Sequence, residues 1–140
     1  IDCIAVSIGP GSYSGIKVGV SFSKGLSFAI NKPIVPINTL YAMNEQIKCK
    51  DKYYISVYSH RDYLYTQLFE NNCSISNPKC VKFEELEQHK IFGYGLNKIK
   101  NCNYNEILPL SEDILSVAIR EYKNLKVINI NEIKPLYLSV

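Results

Sequence analysis

The pattern of hydrophobic and polar positions divides the chain into two parts that meet near residue 50. In the first part, two short apolar runs flank a longer helical pattern. Four elements are predicted in chain order: a strand over residues 3–8, a helix over 15–30, a strand over 34–37 and a helix over 39–48. A βαβ unit of this kind pairs its strands in parallel. The turn after the first strand then lies at the carboxyl edge of the sheet, where open α/β sheets bind ligands.

In the second part, apolar and polar residues alternate in the manner of antiparallel strands. Residues 53–59 and 63–70 predict a hairpin, which is followed by a polar loop over residues 71–79. Weaker patterns predict the rest: short strands at residues 81–83 and 90–92, a short helix at 84–89 and a helix at 111–124. We therefore predict two small mixed α/β lobes, over residues 1–50 and 51–140.

Capping residues and a buried face complete the predicted helices. Ser12 or Ser14 is suited to cap the first helix, Thr39 the second and Ser111 the last. On the last helix, the helical period predicts a buried face made of Ile114, Leu115, Ala118, Ile119 and Tyr122.

Composition and charge narrow the classes of function. No apolar run approaches the roughly 18 residues of a membrane span, and no signal peptide begins the chain, so we expect a cytoplasmic protein. Its 5 cysteines include no C-x-x-C pair and its 2 histidines are far apart, which predicts reduced thiols and no metal site. The net charge of +3 is too small to predict nucleic-acid binding by itself.

The glycine-rich segment over residues 9–19 is the first place to look for chemistry. It is not a P-loop, because Gly15 is not followed by a lysine and a hydroxyl residue. Ser14 replaces the third glycine of a dinucleotide fingerprint, and Tyr13 stands where a nucleophile elbow needs serine. The acidic residues elsewhere are typical of loops, caps and solvated helix faces. The sequence therefore predicts no catalytic residue.

Small residues recur at a spacing of four along one side of the first helix, at Gly15, Gly19, Ser23 and Ser27. Small side chains allow another element to approach closely. The stripe is consistent with packing of the helix on its own sheet and equally with docking against another subunit. Both interpretations remain open, because one side can face the sheet and another a partner.

Three segments of the chain carry a specific pattern: residues 9–19, GPGSYSGIKVG; 23–29, SKGLSFA; and 32–42, KPIVPINTLYA. In these segments the chain resembles the bacterial TsaB family, formerly called YeaZ. Weaker similarity follows in the correct order, at the 58–65 hairpin, at residues 93–95 and at residues 135–138. The resemblance therefore covers the whole chain, although unevenly.

Several positions depart from the family pattern. Tyr58 and Tyr63 stand where the family has an aspartate and a glutamate, so no role is carried over to that hairpin. Lys17 replaces an arginine, which keeps the charge but loses the planar fork, and Ser139 replaces the final arginine. The family also has opening strands ahead of Ile1, so we expect either a fragment or a reduced gene.

The resemblance implies an actin-like ATPase (ribonuclease H-like) fold with two small mixed lobes, the first of them incomplete. It implies a non-catalytic scaffold and dimerization subunit that activates TsaD, with TsaE joining. The complex makes N6-threonylcarbamoyladenosine (t6A37) in tRNAs that read ANN codons. The chain would then contact tRNA only through the complex, and a second copy of itself when TsaD is absent. The family's older description as a glycoprotease finds no supporting chemistry in this sequence.

The same resemblance implies two sets of site residues. A nucleotide, ATP or ADP, is expected at the junction with TsaD, close to Gly9, Gly11, Ser12 and Gly15. The interface with the partner is expected at Gly15, Val18, Gly19, Phe22, Ser23 and Leu26. No cofactor of its own is implied.

Two other functions fit the sequence. An autonomous actin-like ATPase or kinase-like enzyme would bind nucleotide without a partner. A degenerate fragment without activity would self-associate through the sheet edge that its missing strands leave open.

Overall fold

The computed structural model describes all 140 residues of the chain. Its first part contains β1 (Ile4–Gly9), α1 (Tyr13–Ile30), β2 (Ile34–Asn38) and α2 (Thr39–Met43). The two strands pair in parallel and form a two-stranded sheet by themselves. The predicted βαβ unit is confirmed, and this small sheet is the core of the first lobe.

The second helix differs from its prediction at both ends. Asn38 caps it and not Thr39, because the Asn38 Oδ1 atom accepts from the backbone N–H groups of Leu40 at 2.8 Å and Tyr41 at 3.3 Å. The helix proper ends at Met43 and continues only as a 3₁₀ turn over Asn44–Gln46.

The second sheet has six strands in the order β5-β4-β3-β7-β8, with β6 also paired to β4. Its strands are β3 (Lys52–His60), β4 (Tyr63–Glu70), β5 (Cys73–Ser74), β6 (Lys79–Lys82), β7 (Lys90–Tyr94) and β8 (Asn105–Glu106). The predicted hairpin is confirmed as the antiparallel β3–β4 pair. The predicted helix over residues 84–89 is wrong, since only a 3₁₀ turn over Phe83–Glu85 forms. A segment this short is marginal as a helix without a packed face.

The last helix, α3 (Ser111–Leu125), packs on the first sheet and not on the second. Its Val117 and Ala118 contact a buried cluster made of Val35, Ile37 and Ala42. The opposite face of that sheet is covered by α1, through a cluster of Val6, Val20, Ile34 and Ile133. The first lobe is thus a three-layer α/β/α unit to which residues after 110 return. The division at residue 50 stays a prediction, but α3 lies outside the lobe to which it was assigned.

The buried face of α3 is only partly the predicted one: Ala118 is buried and Ile114 and Tyr122 pack beside it as predicted, but the face also contains Val117. Leu115 is 54% exposed and Ile119 is 71% exposed, so their predicted burial is wrong. The helix is turned so that Asp113 is also buried, where its Oδ2 atom accepts from the Gln46 Nε2 atom at 2.6 Å. Ser111 does not cap the helix, because the cap position falls one residue earlier and has no side-chain hydrogen bond.

Buried polar side chains join the two lobes. The Tyr53 hydroxyl donates to the Asn44 Oδ1 atom at 2.5 Å, and Asn44 donates in turn to the Asn72 backbone carbonyl at 2.9 Å. Burial, together with the nearby Cys49 and Cys73 thiols, raises the pKa of Tyr53 to about 12. The Tyr53 hydroxyl therefore remains a hydrogen-bond donor at neutral pH, which keeps this joint intact. None of the helices combines the length and apolar character needed to cross a membrane.

Candidate functional site

A cleft of about 700 Å³ lies between the glycine-rich turn and the second sheet. The first lobe contributes the turn and the start of α1 to this cleft, and the second lobe contributes the ends of β3 and β7. The structure places Gly11, Ser12, Gly15 and Gly19 of the predicted site residues in its wall. Facing them are Val57, Tyr58, Ser59, Tyr94, Gly95 and Lys98. The predicted turn therefore meets a second wall that is distant in sequence.

Gly9 lies at the back of the turn and is not part of the cleft wall. Its φ of +106° is a backbone conformation that residues other than glycine rarely adopt. A Cβ atom there would lie 2.8 Å from the Ile16 Cδ1 atom and 3.1 Å from the Leu136 carbonyl oxygen. The Leu136 N–H also donates to the Ile8 carbonyl at 2.7 Å. The carboxyl-terminal segment thus packs behind the turn and fixes the direction in which α1 starts.

The amino end of α1 points into the cleft. Of the two predicted candidates, Ser12 and not Ser14 is its cap, because the Ser12 Oγ atom accepts from the Gly15 N–H at 3.3 Å. The first intrahelical bond runs from the Ile16 N–H to the Ser12 carbonyl at 2.9 Å. The N–H groups of Tyr13 and Ser14 precede that bond and have no partner within the helix. This helix end carries partial positive charge and two free donors, which suits an anion.

Lys98 supplies the only formal charge of the cleft wall, and sequence reasoning missed it. Its Nζ atom lies 4.9 Å from the centre of the Tyr58 ring, a cation–π distance. Gly95, with φ at +75°, turns the chain after β7 so that the 3₁₀ turn over Leu96–Lys98 reaches the cleft. The wall contains no carboxylate, imidazole or thiol. Its chemistry is therefore suited to binding an anion more than to general acid–base catalysis.

The outer face of α1 is apolar and uncovered. Val18 is 69% exposed and Phe22 is 70% exposed, whereas Leu26 is half-buried. A Cβ atom at Gly19 would meet nothing within 4 Å. Ser23 is buried, at 6% exposure, and its place in the partner interface stays a prediction. The small-residue stripe is thus split between the sheet and the surface.

Comparison with known proteins gives a consistent set of relatives. The family model described as TsaD, tRNA N6-adenosine threonylcarbamoyltransferase, matches residues 1–105. A tRNA threonylcarbamoyladenosine biosynthesis protein TsaB from Haemophilus influenzae is 42% identical over 43 residues, which are 31% of this chain and 18% of that protein. A tRNA N6-adenosine threonylcarbamoyltransferase from Thermosipho melanesiensis is 53% identical over 38 residues, 27% of this chain and 12% of that one. The matched segments therefore span less than a fifth of these relatives.

Solved structures show the same fold over almost the whole chain. YeaZ from Pseudomonas aeruginosa matches with a TM-score of 0.79 and 19% identity, over 99% of this chain and 74% of that one. A second structure, of a protein with similarity to peptidase YEAZ from Pseudomonas aeruginosa, has a TM-score of 0.80 at 19% identity, over 99% and 74% of the two chains. The predicted fold and the resemblance to the TsaB (YeaZ) family are both confirmed.

Proposed function

The chain belongs to the TsaD family, tRNA N6-adenosine threonylcarbamoyltransferase, and from that premise we propose that it is a non-catalytic scaffold subunit in N6-threonylcarbamoyladenosine synthesis. In this role it binds a catalytic TsaD protein and activates it, TsaE joins the assembly, and tRNA is the substrate of the complex. When TsaD is absent, a second copy of the chain takes its place.

The uncovered face of α1 is the observation that carries this proposal. Large apolar side chains at Val18 and Phe22 are more than two thirds exposed, although the helix already has a packed face on the sheet. Burying each of them against a partner would contribute about 1.5–3 kcal/mol. Monomeric proteins rarely leave contiguous apolar patches uncovered, so such a face marks an interaction surface.

Glycines on the same helix support close approach by the partner. Neither Gly19 nor Gly25 has any atom within 4 Å of the position that a Cβ atom would occupy. The packing within the chain therefore does not require glycine at either position, and each glycine costs the helix about 1 kcal/mol relative to alanine. A second helix packed closely over α1 accounts for both residues.

The cleft supports the second half of the proposal, in which the chain contributes to a nucleotide site without performing chemistry. The cleft wall combines Gly11, Ser12 and Gly15, at the amino end of α1, with the Lys98 ammonium, and together these would hold phosphate oxygens. Because the wall offers no general base, the reacting groups would come from the partner.

An autonomous nucleotide-binding ATPase or kinase-like enzyme is the alternative, and the volume of the cleft favours it. One experiment distinguishes the scaffold function from the enzyme function. The purified chain is mixed with its cognate TsaD and the mass of the mixture is measured by light scattering, with ATP, with ADP and without nucleotide. A one-to-one complex, and tRNA modification that requires both proteins, support the scaffold. Tight nucleotide binding by the chain alone without association would support the enzyme.

A further inference from the structure

A second surface of α1 is basic and aromatic, and the scaffold role leaves it unused. It lies beside the apolar face and continues past the end of the helix onto α3. We call it the basic ridge, and its members are Lys17, Lys24, Phe28, Lys32 and Lys126. Lys24 and Phe28 are four residues apart and Lys17 is seven residues before Lys24, so all three lie on one side of the helix.

The carboxyl-terminal end of the ridge forms a groove of about 570 Å³. Phe28 is 80% exposed in its wall and Ile128 is 81% exposed. The Lys126 Nζ atom lies 5.2 Å from the centre of the Tyr122 ring, so a cation and an aromatic face are presented together. Lys32 completes the wall, which has no carboxylate. Glu132, at the rim, accepts from the Asn129 side-chain amide at 3.4 Å.

We propose that the basic ridge binds single-stranded RNA, with the lysines contacting phosphates and Phe28 stacking on a base. Single-stranded nucleic acids are bound by cationic grooves that carry exposed aromatic rings, because every base has a face to stack. The ridge has both parts, and α1 has no acidic residue to oppose a phosphate. Eleven residues of helix separate Lys17 from Phe28, about 16 Å along the axis, so the ridge is longer than a single nucleotide.

The choice of RNA over DNA rests on the proposed function, whereas the anionic, stackable character of the ligand rests on the ridge alone. The proposal departs from the expectation that the chain contacts tRNA only through its complex. It also does not require the net charge of the chain to be large, since the cations are concentrated on one side.

The test measures binding of a fluorescein-labelled oligouridylate 12-mer, and of an unmodified tRNA transcript, by fluorescence anisotropy across a range of salt concentrations. The ridge variant replaces exposed Lys17, Lys32 and Lys126 by glutamine. The matched control replaces exposed Lys48, Lys50 and Lys100 by glutamine and removes the same charge elsewhere. We expect only the ridge variant, and not the control, to bind about tenfold more weakly. The slope of its log affinity against log salt concentration should be smaller in magnitude by about 2.

A further pair of variants isolates the stacking step. Phe28→Ser should weaken binding of the 12-mer several-fold without changing the salt slope, while Phe28→Tyr should keep the affinity. Equal losses in the ridge and control variants would overturn the proposal. So would binding of an oligoglutamate peptide at the ridge without binding of RNA. Complex formation with TsaD is measured separately, so failure of the ridge is distinguishable from failure of the scaffold role.

Discussion

Helices α1 and α3 cover opposite faces of the same two-stranded sheet, yet their outer surfaces differ in kind. The α3 helix has charged residues on its outside, and Arg120 donates to the Glu45 carboxylate at 2.7 Å across to the turn after α2. The α1 helix has no acidic residue, and its outside carries the exposed apolar side chains of Val18 and Phe22 beside the lysines of the basic ridge. Packing on the shared sheet explains the inner faces of both helices. It does not explain the exposed apolar side chains on the outer face of α1.

The largest expected effect compares two valines of α1 that differ only in the side they face. Val20 is buried against the sheet, and Val18 is exposed. Val20→Ala should lower the free energy of unfolding by about 1.5–3 kcal/mol, because it removes a buried side chain. Val18→Ala should change it by less than about 0.5 kcal/mol. Urea denaturation of the isolated chain measures both values, and a similar loss in both variants would show that the outer face is already packed.

A glycine substitution should separate stability from binding. Gly19→Ala adds a methyl group into open space and improves helix propensity, so the isolated chain should become more stable by about 0.5–1 kcal/mol. The same methyl group should weaken the TsaD complex, if a partner helix packs closely at this position. Thermal melting of the chain and titration with TsaD measure the two effects. A gain in stability with unchanged binding would place the partner elsewhere.

The smallest effect concerns Asp113, since α3 buries a carboxylate and α1 buries none. Burial raises the pKa of Asp113 above its ordinary value, although the hydrogen bond from Gln46 opposes this, and Glu112 and Glu45 add to the rise. The folded state therefore binds a proton at higher pH than the unfolded state. The resulting stabilisation is present below the unfolded pKa and is lost as the pH rises through the folded pKa.

Asp113→Asn should remove that pH dependence. We expect the native chain to gain melting temperature relative to the variant as the pH is lowered from about 7 toward 4, across the usual titration range of a carboxyl group. The variant should equal or exceed the native chain at neutral pH, because asparagine can still accept from Gln46. The same difference in melting temperature between the native chain and the variant at all pH values would contradict this expectation.

The sequence was sufficient for the parts of the fold that depend on local periodicity. The βαβ unit, the β3–β4 hairpin and the Ser12 cap were predicted because each is encoded within a few neighbouring residues. The buried face of α3 was predicted only in part, because it includes Asp113, whose hydrogen-bond partner Gln46 is far away in the chain. Nothing local required a buried carboxylate on that helix.

For the candidate site as well, the sequence indicated only the part that neighbouring residues encode. The turn from Gly9 was found from its glycines, but Lys98 was not, because it reaches the cleft through the parallel pairing of β3 with β7. The basic ridge was likewise divided in the sequence between α1 and the end of α3. The glycine motif at residues 93–95 was a signal for Lys98. A turn that brings the chain back to the cleft also places the residues that follow it, including Lys98, in the cleft wall.

We propose that the catalytic partner binds the outer face of α1 and not that of α3. The most direct measurement is the dissociation constant of the complex with cognate TsaD for two matched double variants, Val18→Ser with Phe22→Ser and Leu115→Ser with Ile119→Ser. Both pairs are exposed apolar residues, at 69% and 70% on α1 and at 54% and 71% on α3. We expect at least about a hundredfold loss of affinity for the α1 pair and little change for the α3 pair. Equal affinity in the α1 pair and the native chain would contradict it.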